Sequence, residues 1–331
     1  MSENLTLLDI AKRMAPDSEI EAVAEIMSEV NPILKMLPFK PCNNGTVNKE
    51  PIRTGYPSGF WRRYYQGIPQ EKSTYVTVQD DCGMLTAMGE VDASLADHSP
   101  NKAKLMLDEN RGFIEGLSQT MADAFFYADS KKDHEKFTGL TPRFAKVGHG
   151  VSGIAKHNIF QQVMSAGGTT ANSQSSVWIV AHDVSKIFGL YPAGSTAGLN
   201  PHDHGRQLVA DSNGNKYPAY IKEYQWDCGL GVKDWRYVAR LANVEVAALS
   251  GTTLIDYLVT LTHLIQPDAK NVAIYANRDV VAALDVMAVN KANMALGVED
   301  WAGRKVTTFR GYPILQSDAL VSTEAVVSNA S

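Results

Sequence analysis

Apolar residues along this chain change their period several times, and each change predicts an element. After Leu5, Leu8 and Ile10, Pro16-Asp17 breaks the chain and Ser18-x-x-Glu21 has the form of a capping box. Ile20, Val23, Ile26, Met27 and Val30 then recur at helical spacing until Asn31-Pro32, where the residue before proline is driven out of helical geometry. This predicts a small amphipathic arm helix. From Phe39 to about Asp97 short extended pieces are punctuated by Asn44-Gly45, Gly55, Pro57-Ser58-Gly59, Gly67 and Pro69, the pattern of hairpins. Ser73 to Val78 has strand composition, and Met84 to Val91 is its expected partner. So few apolar residues bury little by themselves, so the region is expected to project and pack on something else.

Ser99-Pro100 offers an N-cap and an N1 proline for a long helix carrying Met106, Phe113, Leu117, Met121, Ala124 and Ala128. Ending near Tyr127, it would be roughly 40 Å long at 1.5 Å per residue. Gly112 and Gly116 within it each cost about 1 kcal/mol relative to Ala, which predicts close approach of another backbone. Residues 139 to 176, rich in Gly, Ser, Thr and Asn, read as loops. Order returns at Val177 to Val180, Lys186 to Tyr191, and Arg206 to Asp211 before an Asn213-Gly214 hairpin turn.

From Lys216, Tyr220, Tyr224, Trp226, Cys228, Leu230 and Val232 share one parity while Glu223, Gln225, Asp227, Gly229 and Gly231 take the other. The apolar parity switches at Lys233-Asp234 to Trp235, Tyr237, Ala239 and Leu241, as at a bulge. The whole element is expected to cover about 25 residues, roughly 80 Å if extended. The last third reads as compact α/β structure. It has a helix with Leu254, Tyr257, Leu258, Leu261 and Ile265, a strand Val272 to Tyr275, an Asn277-capped helix with Val280, Leu284 and Met287, and strands near Val306 and Ile314.

Composition narrows the chemistry. The 331 residues carry 36 acidic against 31 basic side chains, so no global field draws the chain to a polyphosphate, and a dedicated sequence-specific DNA binder is not expected. No apolar run approaches membrane-spanning length, and Glu3 stands where a leader would carry a basic residue, so a soluble protein is expected. Cys42, Cys82 and Cys228 are odd in number and far apart, which speaks against a disulfide framework or zinc site and for reduced thiols.

Glycines sit nowhere between a strand and a helix in a phosphate-binding arrangement; Gly229-x-Gly231 lies inside the long strand, where it suits close backbone packing. His202-Asp203-His204, with His182-Asp183, is the best metal candidate, but H-x-H in such a loop reads better as polar surface. His263 reads as a partly buried, hydrogen-bonded histidine. No nucleophile elbow occurs, and Asp80-Asp81 and Glu90-x-Asp92 read as surface charge. Pro57, Gly59, Trp61, Arg62, Arg63, Tyr64 and Tyr65 interleave aromatic and basic groups. Such a run can stack nucleic-acid bases, but Glu71, Asp80 and Asp81 follow closely, so an inter-subunit contact is the better reading. No catalytic residue, metal or cofactor is assigned.

Several runs in order resemble the major capsid proteins of tailed, particularly short-tailed, double-stranded-DNA phages with the Hong Kong 97-type fold. They are Asn31-Pro32-Ile33-Leu34-Lys35-Met36-Leu37-Pro38-Phe39, Gly198-Leu199 before the His202 to Asp211 loop, and Tyr224 to Leu230 through Asp234-Trp235-Arg236-Tyr237. The closing run Gly311 to Leu320 completes the set. The resemblance spans nearly the whole chain. It implies an α+β fold with an N-terminal arm (1–38), an extended hairpin loop (39–97), an elongated peripheral domain with the long helix and long sheet (about 98–250), and a mainly axial α/β domain with the C-terminal tail (251–331).

It also implies an icosahedral virion shell assembled in the host bacterial cytoplasm from hexamers and pentamers of this chain. The implied partners are a portal protein, a separate scaffolding protein, a cement protein and non-specifically packaged DNA, without a membrane. A cleaved scaffolding segment and a Lys-Asn isopeptide cross-link, known in relatives, do not map onto this sequence. The rival readings are an encapsulin-like nanocompartment shell and, from another class, a metal-dependent hydrolase built on His202, Asp203 and His204.

Overall fold

The computed structural model of the chain describes residues 31–155, 157–245, 251–289, 296–301 and 304–330. The expected arm helix, residues 18 to 30, lies outside the described residues. The chain enters through a helical turn, α1 (Ile33–Met36), which seats Ile33 and Leu37 in the core. It then forms β1 (Phe39–Pro41) and β2 (Val47–Gly55).

The next strand departs from expectation. Ser73 to Val78 and Met84 to Val91 do not pair with each other, because most of both lies in one unbroken strand of 19 residues, β3 (Thr74–Asp92). Its first half pairs antiparallel with β2, Val47 opposite Asp81, and its second half with β8 (Lys216–Val232), Cys82 opposite Gly229. Asp81-Cys82-Gly83 makes no turn. Gly83 instead makes room for another segment, since a Cβ there would stand 3.0 Å from the Glu135 carbonyl oxygen.

β6 (Ile187–Tyr191) and β7 (Asn200–Ala210) also join β8, giving a six-stranded sheet in the order β1-β6-β8-β3-β2 with β7 on β8. The parity read from sequence holds, with Tyr224, Trp226, Cys228, Leu230 and Val232 buried on one face. Two helices follow β3. Asp92 caps α2 (Ala93–His98), and Asn101, rather than Ser99-Pro100, caps α3 (Lys102–Tyr127) by accepting the Lys104 N–H at 3.1 Å. The 26 residues of α3 span about 39 Å, and Phe113 stacks on Tyr224 with centroids 5.4 Å apart. Gly112 and Gly116 do not mark a close approach within the subunit, because an added Cβ would meet nothing within 4 Å at either.

The parity switch at Lys233-Asp234 is a change of sheet and not a bulge. β8 stops after 17 residues, about 56 Å. Asp234 accepts the Arg236 N–H at 3.1 Å to start a 3-10 turn, Trp235–Tyr237, and β9 (Val238–Glu245) runs into a second sheet where Val238 through Val244 are buried. That sheet has seven strands in the order β11 (Leu296–Trp301), β12 (Arg304–Phe309), β13 (Tyr312–Gln316), β10 (Val272–Ala276), β5 (Gln174–Ala181), β9 and β4 (Val163–Ser165). Three of its strands come from before residue 250, so the two sheets interleave along the chain. Among the described residues, the loop-rich stretch from 139 holds α4 (Leu140–Arg143), a 3-10 turn and β4 before β5 begins.

Helices α5 (Gly251–Leu264) and α6 (Arg278–Val289) accompany this sheet, burying Leu254, Leu258, Leu261, Val280 and Leu284. Asn277 accepts the Asp279 N–H at 3.0 Å at the start of α6, as its sequence position predicts. One continuous apolar core joins the α3 residues Met121, Phe125 and Phe126 to both sheets. A buried polar knot ties the C-terminal segment to it. Arg240, 1% exposed, places Nη2 3.0 Å from Glu324 Oε2, donates Nε–H to Ser176 Oγ and Nη1–H to the Phe144 carbonyl, and lies over the Trp178 ring. Tyr127 donates its hydroxyl to Glu324 Oε1 at 2.6 Å.

Candidate inter-subunit site

The candidate residues occupy the tip of the hairpin formed by β2 and β3. β2, the edge strand of the six-stranded sheet, runs about 30 Å over nine residues alongside β3, and residues 56 to 72, all exposed, close the hairpin. Pro57 and Pro69 lack the N–H a ladder needs, which stops strand pairing in this span. The tip keeps local order instead. Gln66 donates its N–H to the Arg63 carbonyl at 3.2 Å and accepts the Arg63 N–H on Oε1 at 3.1 Å. Between them Tyr65 adopts a left-handed backbone with φ of 64°, a conformation that costs a non-glycine residue roughly 1 kcal/mol or more. Ser58 donates its hydroxyl to Glu71 at 3.0 Å across the mouth of the tip.

This order displays large side chains to solvent. Trp61 is 98% and Tyr64 95% exposed, and Tyr56, Phe60, Tyr65 and Ile68 are exposed beside them. Arg53, Arg62, Arg63 and Lys72 face only Glu71 as a carboxylate in residues 53 to 72, so the tip is locally cationic in an acidic chain. Arg53 bridges to Tyr75, its Nη2–H donated to the hydroxyl at 2.7 Å, and hydrogen bonds from Ser73 and Arg53 lower the Tyr75 pKa. The structure therefore brings Pro57, Gly59, Trp61, Arg62, Arg63, Tyr64 and Tyr65 into one exposed turn.

The root is the opposite. Glu50 lies between Lys40 at 3.0 Å and Lys233 at 2.9 Å. Burial alone would raise the Glu50 pKa, but the hydrogen bonds from Lys233 and Lys40 outweigh it and hold the carboxyl below its ordinary value. Asp80, 4% exposed, accepts the Val232 N–H on Oδ2 and pairs through Oδ1 with Arg143 at 2.7 Å. Arg143 in turn donates to the Thr138 and Leu230 carbonyls. Asp80 is thus a buried anchor and not the surface charge expected of it. These partners lie between ten and 183 positions apart, and no local pattern in the sequence marks them.

The histidines do not converge. His202, Asp203 and His204 lie on the exposed strand β7, where His204 Nε2 is 2.9 Å from Glu223 and Asp203 accepts the Gly205 N–H at 2.8 Å. His182 is instead buried, with Nε2 2.8 Å from the Tyr275 hydroxyl, and burial lowers its pKa to about 4. His263 is exposed rather than partly buried, 3.0 Å from Arg310 Nη1. Among the described residues no three His, Cys, Asp or Glu side chains form a metal-holding group, and no helix is long and apolar enough to cross a membrane.

A long helix lying on a sheet that extends into an exposed hairpin, beside a mixed α/β lobe, is the architecture of tailed-phage capsid subunits, and solved structures show it. The chain matches a chain of the near-atomic structure of bacteriophage Epsilon15 with a TM-score of 0.78 and 29% sequence identity, over 99% of this chain and 98% of that one. It also matches the bacteriophage JBD30 capsid with a TM-score of 0.54 over 92% and 99% of the two chains, a likeness of fold alone at 9% identity. A search of curated protein sequences found no match. The family model described as major capsid protein GP7 covers residues 15–328, and the chain belongs to that family. It is therefore a phage shell protein of Hong Kong 97-like fold, a component of the virion capsid, and the hydrolase and nanocompartment readings are not favoured.

Proposed function

We propose that copies of this chain close an icosahedral shell by laying the hairpin tip of each subunit on its neighbour, with Pro57, Gly59, Trp61, Arg62, Arg63, Tyr64 and Tyr65 in contact. The observation that carries this reading is the contrast along one hairpin: a root held by the largely buried Asp80–Arg143 pair and the part-exposed Glu50–Lys233 pair, and a tip that shows a whole indole to water. Trp, Tyr and Arg are the residues that dominate binding energy when desolvated, and a segment that buries nothing at home has its apolar surface available for a partner. A repeated heterologous contact that closes on itself yields hexamers, pentamers and a shell.

In this reading residues 1–38 are the N-terminal arm, 39–97 with β2, β3 and their tip the extended loop, about 98–250 with α3 and β8 the peripheral domain, and 251–331 mainly the axial domain, to whose sheet the peripheral stretch lends β4, β5 and β9. The role is structural, without a catalytic site. The further partners are a portal protein, a separate scaffolding protein, a cement protein and the packaged double-stranded DNA, which a net charge of -5 leaves loosely held. Trp61→Ala tests the contact. Its side chain touches nothing the fold needs, so thermal unfolding of the free subunit should stay within about 0.5 kcal/mol of wild type. Shells seen by electron microscopy and sedimentation should disappear, as loss of a binding hot spot of 2 kcal/mol or more, repeated around the shell, implies. A normal shell yield would sink the assignment.

A further inference from the structure

The three cysteines, distant in sequence, are not distant in space. Cys42 Sγ lies 3.3 Å from Cys82 Sγ, in a small apolar cluster with Phe188 and Leu190. Backbone hydrogen bonds hold each residue on its own side: the Cys42 N–H donates to the Tyr191 carbonyl at 2.8 Å and the Cys82 N–H to the Thr46 carbonyl at 3.1 Å. Cys228 belongs to the opposite face. Cys82 stands across from Gly229 and Gly83 across from Cys228, so strand alternation turns Cys82 and Cys228 away from each other, Cys228 into the main core. The pair also occupies a definite place in the fold. Cys42 precedes β2, and Cys82 is the residue at which β3 changes partner from β2 to β8, so the two sulfurs face each other across the base of the hairpin.

We propose that Cys42 and Cys82 are a site of oxidative cross-linking, closed by a small-molecule disulfide such as oxidised glutathione, which staples the base of the projecting hairpin. Cys82, the more exposed of the two, attacks one sulfur of glutathione disulfide as its thiolate and releases one glutathione thiolate. Cys42 then attacks the Cys82 sulfur of the mixed disulfide and releases the second glutathione. Two electrons pass from the protein sulfurs to the oxidant, the two thiol protons leave with the two glutathione thiolates, and one S–S bond replaces another. The sulfurs approach by little more than 1 Å to reach bonding distance. Burial raises the pKa of both thiols, so the reaction is slow near neutrality and accelerates with pH. A particle that leaves a reducing cytosol for an oxidising medium would acquire the bond after assembly.

The test uses the folded full-length chain, incubated with oxidised glutathione at pH 8.5, quenched with N-ethylmaleimide and mapped by mass spectrometry without reduction. A peptide pair joined through Cys42 and Cys82, two hydrogens lighter than its parts, is expected, with Cys228 alkylated only after unfolding. Cys228→Ser should leave the cross-link intact, and Cys42→Ser should stop at a glutathione adduct on Cys82. A bond that includes Cys228, mixed disulfides alone in the wild-type chain, or three thiols still free would each overturn the proposal.

Discussion

Replacing Glu324 by Gln removes one negative charge and almost no volume, and it exposes how the C-terminal segment is fixed. Glu324 side-chain exposure is 7% and that of Arg240 is 2%, with 3.0 Å between Nη2 and Oε2, so the guanidinium would lose its counter-charge without gaining water. Removing one partner of a buried pair costs about 3 to 5 kcal/mol because the remaining charge stays desolvated. The Gln carbonyl can still accept one hydroxyl, from Tyr127 or Ser176, and Arg240 keeps Phe144 O and Ser176 Oγ, which places the expected loss near the lower end, about 3 kcal/mol. Equilibrium unfolding in urea measures it, with Trp178 as the reporter because Arg240 lies 5.0 Å from its ring. The double replacement of Arg240 and Glu324 by Met should recover most of the loss, since a buried ion pair and a well-packed apolar pair are often of similar stability. A single variant within about 0.5 kcal/mol of wild type, or a double variant no better than the single, would refute the account.

Acid should weaken the fold through His182. Its folded pKa is lowered to about 4 by burial, so the unfolded chain binds a proton that the folded chain refuses, and stability present above pH 6.5 is lost as the pH falls toward 4. The shift corresponds to about 3 kcal/mol, and His182→Asn should flatten the difference between urea midpoints at pH 7 and pH 4.5. Gly231→Ala would set a Cβ 2.4 Å from the buried Phe188 ring and should cost about 1 to 3 kcal/mol in the same unfolding assay. Gly112→Ala, on an open helix surface, should instead raise the melting temperature of the free subunit, worth up to about 1 kcal/mol.

Much of this fold could be read from residues that repeat. The parity of Tyr224 through Val232 declares a half-buried strand, the spacing from Phe113 to Met121 a helix, and the aromatic-basic run at 59 to 65 an exposed tip, because each signal is local and periodic. What was misread depends on distance in sequence. Ser73 to Val78 and Met84 to Val91 look like two paired strands until β8 is placed beside the second, and Gly112 looks like a contact residue until the space beside it is found open. The switch at Lys233-Asp234 is visible as a change of parity, but a bulge and a change of sheet produce the same change. Asp80 with Arg143, Lys233 with Glu50 and Cys42 with Cys82 were invisible for the same reason, since tertiary folding alone makes them neighbours.

The contrast between root and tip makes the hairpin a lever. From the root at Glu50 to the end of β2 at Gly55 the arm is about 17 Å, so each degree of rotation at the root carries the foot of the tip by about 0.3 Å and a tilt of ten degrees by about 3 Å. In the proposed contact such a tilt would let one sequence meet its neighbours at more than one angle, with Glu50, Asp80 and their cations as the pivot while the tip keeps its own hydrogen bonds. The stiffness of those few ionic contacts would then set the range of angles open to the proposed contact.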